Sequence, residues 1–96
     1  MKTKVYDKAN WHLVNGMSLE IVLEHFSFFM NWANTNNLLS HEGKEILELG
    51  VDESISLHSR MFNDMGIKFM ENFYDKFISA QKKDEAAMNN DLKMLT

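Results

Sequence analysis

Between Ser18 and Leu38 the polar residues fall at Glu20, Glu24, Ser27, Asn31 and Asn34, with Thr35 beside the last. Steps of four, three, four and three trace a single stripe along a helix. The other positions are mostly large and apolar: Leu19, Ile21, Val22, Leu23, Phe26, Phe28, Phe29, Met30, Trp32 and Ala33. A helix that is apolar on all but one narrow stripe has to be covered on several sides. Residues 18–38 are therefore expected at the centre, with the other segments wrapped around them. Ser18 suits the N-cap, and Met17 with Val22 suits a hydrophobic staple. Asn34, Asn36 and Asn37 suit the far end, because Asn tolerates the left-handed conformation that closes helices.

The flanking segments carry weaker patterns. In residues 1–16, Asp7 can cap a short turn, Trp11 is large enough to anchor the arm on the central helix, and Asn15-Gly16 is a turn signal. The reading is an irregular arm with one helical turn, with a small hairpin as the other option. Ser40 can cap a second helix running to Leu49, with Gly50 as its stop. Asp52 is the next N-cap candidate. From Ile55 to Ile78 the pattern reads as helical, since Phe62, Met65, Phe69, Phe73 and Phe77 are spaced three, four, four and four. Met61, Met70, Tyr74 and Ile78 widen that face. Asn63-Asp64 and Gly66 are weak points, so one helix or two would fit. From Lys82 the chain turns polar until Leu92, Met94 and Leu95, which reads as a frayed helix end and partial disorder. The expected fold is all-α, a compact bundle of three to four helices around residues 18–38. It forms one domain over 1–81, with an N-terminal arm at 1–16 and a tail at 82–96.

Composition agrees with helix. The 96 residues include no Pro and only four Gly, and few helix breakers remain. The absence of Cys excludes disulfides and thiolate metal sites. The first residues, Met1-Lys2-Thr3-Lys4, have no apolar run behind them, so no signal peptide is expected. No apolar segment approaches the roughly 20 residues of a membrane span. The expectation is a soluble cytoplasmic protein.

Charge changes the picture. Residues 42–53 hold Glu42, Glu45, Glu48, Asp52 and Glu53 against Lys44 alone, while the rest of the chain holds nine acids and nine bases. The formal net charge of −4 therefore resides in one short segment. On continuous helix, Glu42, Glu45, Glu48 and Asp52 lie within about a third of the circumference. A dense negative patch can steer a basic partner and speed its association; such a run also keeps a small domain soluble. Nothing resembles the basic stripe of a nucleic-acid binder.

Catalytic and metal chemistry find little to work with. Of His12, His25, His41 and His58, only His41 has a helical ligand neighbour, Glu45, which gives two ligands where a site needs about three or four. Glu20 and Glu24 are one turn apart and can be read as an acid–base pair, but that spacing is ordinary on a solvated helix face. There is no G-x-S-x-G turn, and the glycines are too isolated to cradle phosphate. The expectation is a non-enzyme with no cofactor and no metal, whose partner-binding residues are Glu42, Glu45, Glu48, Asp52 and Glu53. The Phe and Met residues at helical spacing read as core. The alternative is surplus apolar surface that makes the chain a structural or adaptor module acting as a homodimer.

Tyr6-Asp7-Lys8-Ala9-Asn10-Trp11-His12 resembles the Y-D-x-A-x-W-H opening of a family of small, uncharacterised bacterial proteins. The resemblance continues through Phe29-Met30-Asn31-Trp32-Ala33 and Asn36-Asn37-Leu38, and returns at Phe73-Tyr74. The Gly-rich stretch usual after Trp-His is shortened here to Leu13-Val14-Asn15-Gly16, and the region between the central and last helices is also shorter. The resemblance implies a mostly helical domain. Because such proteins are often found among toxin–immunity systems, it also implies an immunity role against a cognate bacterial toxin. Asp7 and His12 are then either partner contacts or fasteners of the arm, with fastening the favoured reading.

Overall fold

The computed structural model describes residues 3–80 and 85–95, with residues 76–80 described by backbone alone. In chain order come β1 (Val5–Lys8), α1 (Ala9–Val14), α2 (Leu19–Thr35), α3 (His41–Leu49), β2 (Ser56–His58), a 3-10 turn at Ser59–Met61, α4 (Asp64–Ala80) and α5 (Glu85–Lys93). The described residues thus form a mixed fold, five helices with a two-stranded antiparallel sheet, and the all-α expectation is corrected.

The central helix holds the place its pattern gave it. Val22, Phe26, Phe29, Met30, Trp32 and Ala33 of α2 are buried. Glu20, Glu24, Asn31, Asn34 and Thr35 are exposed, and Ser27 is half-buried. The Ser18 hydroxyl accepts from the Ile21 N–H at 3.3 Å, capping α2. Asn37, at φ 58°, turns the chain out of it. The Phe29 ring lies 5.0 Å from that of Tyr74 and 6.2 Å from that of Phe69, so α2 and α4 meet through aromatic pairs.

The sheet comes from two segments read as something else. β1 was expected as irregular arm, and β2 as the opening of a helix. Over residues 54–58 the sequence alternates strictly, with Ile55 and Leu57 buried between polar neighbours. Alternation of that kind is the period of a strand. Val5 pairs with His58, Asp7 with Leu57 and Lys8 with Ser56; the register slips between Val5 and Asp7. The Ala9 N–H donates to the Ile55 carbonyl at 3.0 Å, which carries the pairing into the start of α1.

Helix α4 accordingly begins at Asp64 rather than near Ile55. Its first turn is capped by Asn63, whose side-chain oxygen accepts from the Gly66 N–H at 2.9 Å. Phe69, Met70 and Tyr74 are buried on it; the side chains of Phe77 and Ile78 lie outside the described residues. Gly43 and Gly66 mark close approaches. A Cβ on Gly43 would overlap the Met61 carbonyl, and one on Gly66 would overlap the Leu38 carbonyl.

The segment expected as a frayed tail contains α5. Its Met88 belongs to the same core cluster as Ala9 and Phe29, and the Trp32 indole N–H donates to the Asn89 side-chain oxygen at 2.9 Å. Residues 82–84 and 96 lie outside the described residues. Among the described residues, no helix is long and apolar enough to cross a membrane.

Candidate functional site

The acidic segment divides between α3 and the loop that follows it. Ser40 caps α3: its hydroxyl accepts from the Gly43 N–H at 3.2 Å and donates to the Arg60 carbonyl at 2.6 Å, which pins the helix start to the 3-10 turn. Gly50, at φ 102°, ends the helix, and its N–H reaches the Ile46 and Leu47 carbonyls. Glu42 stands in the first turn and no base occupies the last.

Each acid has its own surroundings. Glu42 lies 3.7 Å from the Arg60 guanidinium and 3.8 Å from His58 Nε2. Glu45 lies 2.9 Å from His41 Nε2, one turn away on the exposed face. That pairing is the predicted His41–Glu45 spacing realised as a surface contact one helical turn apart. Glu48 and Glu53 are exposed. Asp52 does not cap a helix; it closes a tight local turn, accepting from the Ser54 N–H at 2.9 Å and the Ser54 hydroxyl at 2.6 Å. Those two bonds, the hydroxyl first, hold the Asp52 carboxyl below its ordinary range.

Beside these acids the surface opens into a cleft of about 300 Å³ between the C-terminal part of α3 and β2. Ile46, Leu49 and Gly50 line it from the helix side, Asp52 and Ser54 from the loop, and Ile55, Ser56 and His58 from the strand. Leu49 at this edge is 88% exposed. His58 Nδ1 is buried and makes no hydrogen bond. The cleft is not legible in the sequence, because the pattern from Ile55 onward reads as helix and the wall is the strand β2.

A second polar cluster sits beneath the N-terminal arm. Asp7 is the buried charged residue of the core. It accepts from the Lys8 N–H at 2.8 Å, from the Tyr74 hydroxyl at 2.7 Å, and from His12 Nε2, which stands 2.9 Å from both carboxylate oxygens. A carboxylate here only accepts, so Nε2 carries the hydrogen. His25 Nε2 lies 3.4 Å from the Tyr74 oxygen, and the His12 and His25 rings are 5.9 Å apart. Burial, then the Asp7 charge, pushes the Tyr74 hydroxyl well above its ordinary pKa. The cluster joins β1, α1, α2 and α4, so Asp7 and His12 fasten the arm. Trp11, expected as the anchor, is instead 47% exposed. A six-residue helix turns Ala9 and His12 inward together, three positions apart, and leaves Trp11 on the outer side.

A wider groove of about 550 Å³ is lined by Thr3, Lys4, Tyr6, Ser59, Arg60, Ile67 and Glu71. The Tyr6 hydroxyl there is buried beside Glu71, and burial, then the Glu71 charge, raises its pKa. Glu20 and Glu24 are both exposed on α2. Among the described residues, no group of three or more His, Cys, Asp or Glu side chains is arranged to hold a metal ion. Comparison with known family models, curated proteins and solved structures gives no match for this chain.

Proposed function

We propose that this is a non-catalytic binding protein whose acidic α3 face meets a basic partner, as an immunity protein would to cover the active or binding site of a cognate bacterial toxin. The observation that carries this reading is the charge at the C-terminal end of α3. The last carbonyls of a helix hold partial negative charge and favour a cation, by about 0.3–1 kcal/mol at an exposed site. Here the last turn holds no base, Glu48 stands in it, and Asp52 and Glu53 follow after Gly50 and Val51. That placement weakens the isolated chain. Lysines or arginines on a partner would turn the same repulsion into attraction and speed the encounter. Co-expression with a toxin encoded beside this protein tests the reading: cells survive if it holds. Death in the presence of soluble, folded protein overturns it.

A second reading draws on a different surface. Trp11 and Val14 of α1 and Leu19 and Ile21 at the start of α2 are all exposed, and large apolar residues left outside mark interaction surfaces when they are contiguous. A homodimeric adaptor would use that corner. Sedimentation at micromolar concentration separates the two readings, because the immunity reading works as a monomer and the adaptor reading does not.

A further inference from the structure

We infer that the cleft between α3 and β2 is an anchor pocket that accepts one aliphatic side chain of a protein partner, flanked by lysine or arginine. The inference rests on the binding reading above and names the chemistry the partner must bring. At about 300 Å³ the cleft is at the small end of ligand pockets and has room for one aliphatic side chain.

Three features fix the class of occupant. The walls offer Ile46, Leu49 and Ile55 to an apolar group, and Leu49 is almost bare, so an incoming side chain would cover it. The rim carries a carboxylate at one end: Asp52 lines the cleft directly, whereas Glu42, 3.8 Å from His58, is balanced by Arg60 at 3.7 Å. The C-terminus of α3 also ends at the cleft with no base of its own, so a partner's ammonium or guanidinium beside the anchor would meet both the Asp52 carboxylate and the helix end. Interfaces concentrate their energy in small pockets that the partner desolvates, with charged contacts around the edge setting rate and register.

The test uses the full chain, isotope-labelled, titrated with three blocked tripeptides: Lys-Leu-Lys, Lys-Gly-Lys and Glu-Leu-Glu. Lys-Leu-Lys is expected to move the amide signals of Leu49, Gly50, Ile55 and His58, with weaker shifts from Lys-Gly-Lys and none from Glu-Leu-Glu. The Leu49→Ser variant removes an exposed side chain and leaves the core intact; it is expected to weaken Lys-Leu-Lys binding by about tenfold, the size of losing part of a buried leucine. Equal shifts from Lys-Leu-Lys and Lys-Gly-Lys, confined to Glu45 and Glu48, overturn the pocket while leaving the basic-partner reading standing. Silence from both basic peptides overturns the two together. Shifts that grow with protein concentration alone also overturn the inference, because the occupant is then a second copy of the chain.

Discussion

The Tyr74 hydroxyl donates a 2.7 Å hydrogen bond to Asp7 Oδ2, joining residues 67 positions apart. Asp7 is a buried charge, and its lone pairs are taken by Tyr74, His12 and the Lys8 N–H. Tyr74→Phe keeps the ring against Phe29 and deletes the hydroxyl, with its bond to Asp7 and its longer contact to His25. A hydrogen bond to a charged group contributes about 1.5–3 kcal/mol, so the variant should lose that much stability in urea unfolding. A loss below about 0.5 kcal/mol would mean that water replaces the hydroxyl.

The same hydroxyl gives an alkaline limit. Its pKa in the folded chain is raised well above 10.0, chiefly by burial and then by Asp7. Above pH 10 the unfolded chain releases this proton while the folded chain holds it. Stability is therefore whole below pH 10 and falls as pH rises beyond it. The Tyr6 hydroxyl, also raised, adds in the same direction. Urea midpoints followed from neutral pH past pH 10 should fall, and Tyr74→Phe should fall less steeply than the parent.

Two glycines should resist replacement against their helix propensity. Ala in place of Gly in a helix normally gains about 0.5–1 kcal/mol. At Gly43 the new methyl would meet the Met61 carbonyl, which already accepts from the Ser40 N–H at 2.9 Å. At Gly66 it would meet the Leu38 carbonyl, bonded to the Asn63 N–H at 3.0 Å. Overpacking typically costs about 1–3 kcal/mol, so Gly43→Ala and Gly66→Ala should both lower the thermal midpoint. A rise for either would show that the neighbouring backbone yields.

The central helix was legible because its signal is local. Seventeen residues of α2 repeat one apolar pattern between a Ser cap and an Asn exit. The sheet was not legible, because Val5 pairs with His58 across more than half the chain and each strand is three or four residues long. The alternation from Ser54 to His58 is present, but the aromatic spacing after it extends the helical reading backward across it. Gly66 looked like a flaw in a helix until its contact with Leu38 appeared. The acidic segment was legible as charge, whereas the cleft beside it required the strand.

The two tryptophans should answer a quencher in opposite ways. Trp11 is 47% exposed with Lys8 Nζ 5.8 Å from its ring centroid, whereas Trp32 is buried and bonded to Asn89. Acrylamide should quench the emission remaining in Trp32→Phe strongly and that in Trp11→Phe weakly. Truncating a buried large aromatic costs about 3–5 kcal/mol. Trp32→Ala should therefore destabilise severely, while Trp11→Ala stays within about 1 kcal/mol.

Glu48→Lys should separate stability from recognition. It puts a cation in the last turn of α3, where the parent has none, a change that favours the helix by about 0.3–1 kcal/mol. Lys44 is one turn back, and the new like-charge pair removes a few tenths, about 0.2–0.5 kcal/mol. The net is a small gain of about 0.3 kcal/mol, a thermal midpoint higher by about 1–2 °C in a domain of this size. The same substitution removes attraction for a basic partner, so association at low salt should slow even as the chain becomes more stable. If stability and association both rise, or if association is unchanged, the acids at the end of α3 do not serve binding. A slower encounter with a more stable chain is the outcome expected of charge kept at a helix end for a partner's benefit.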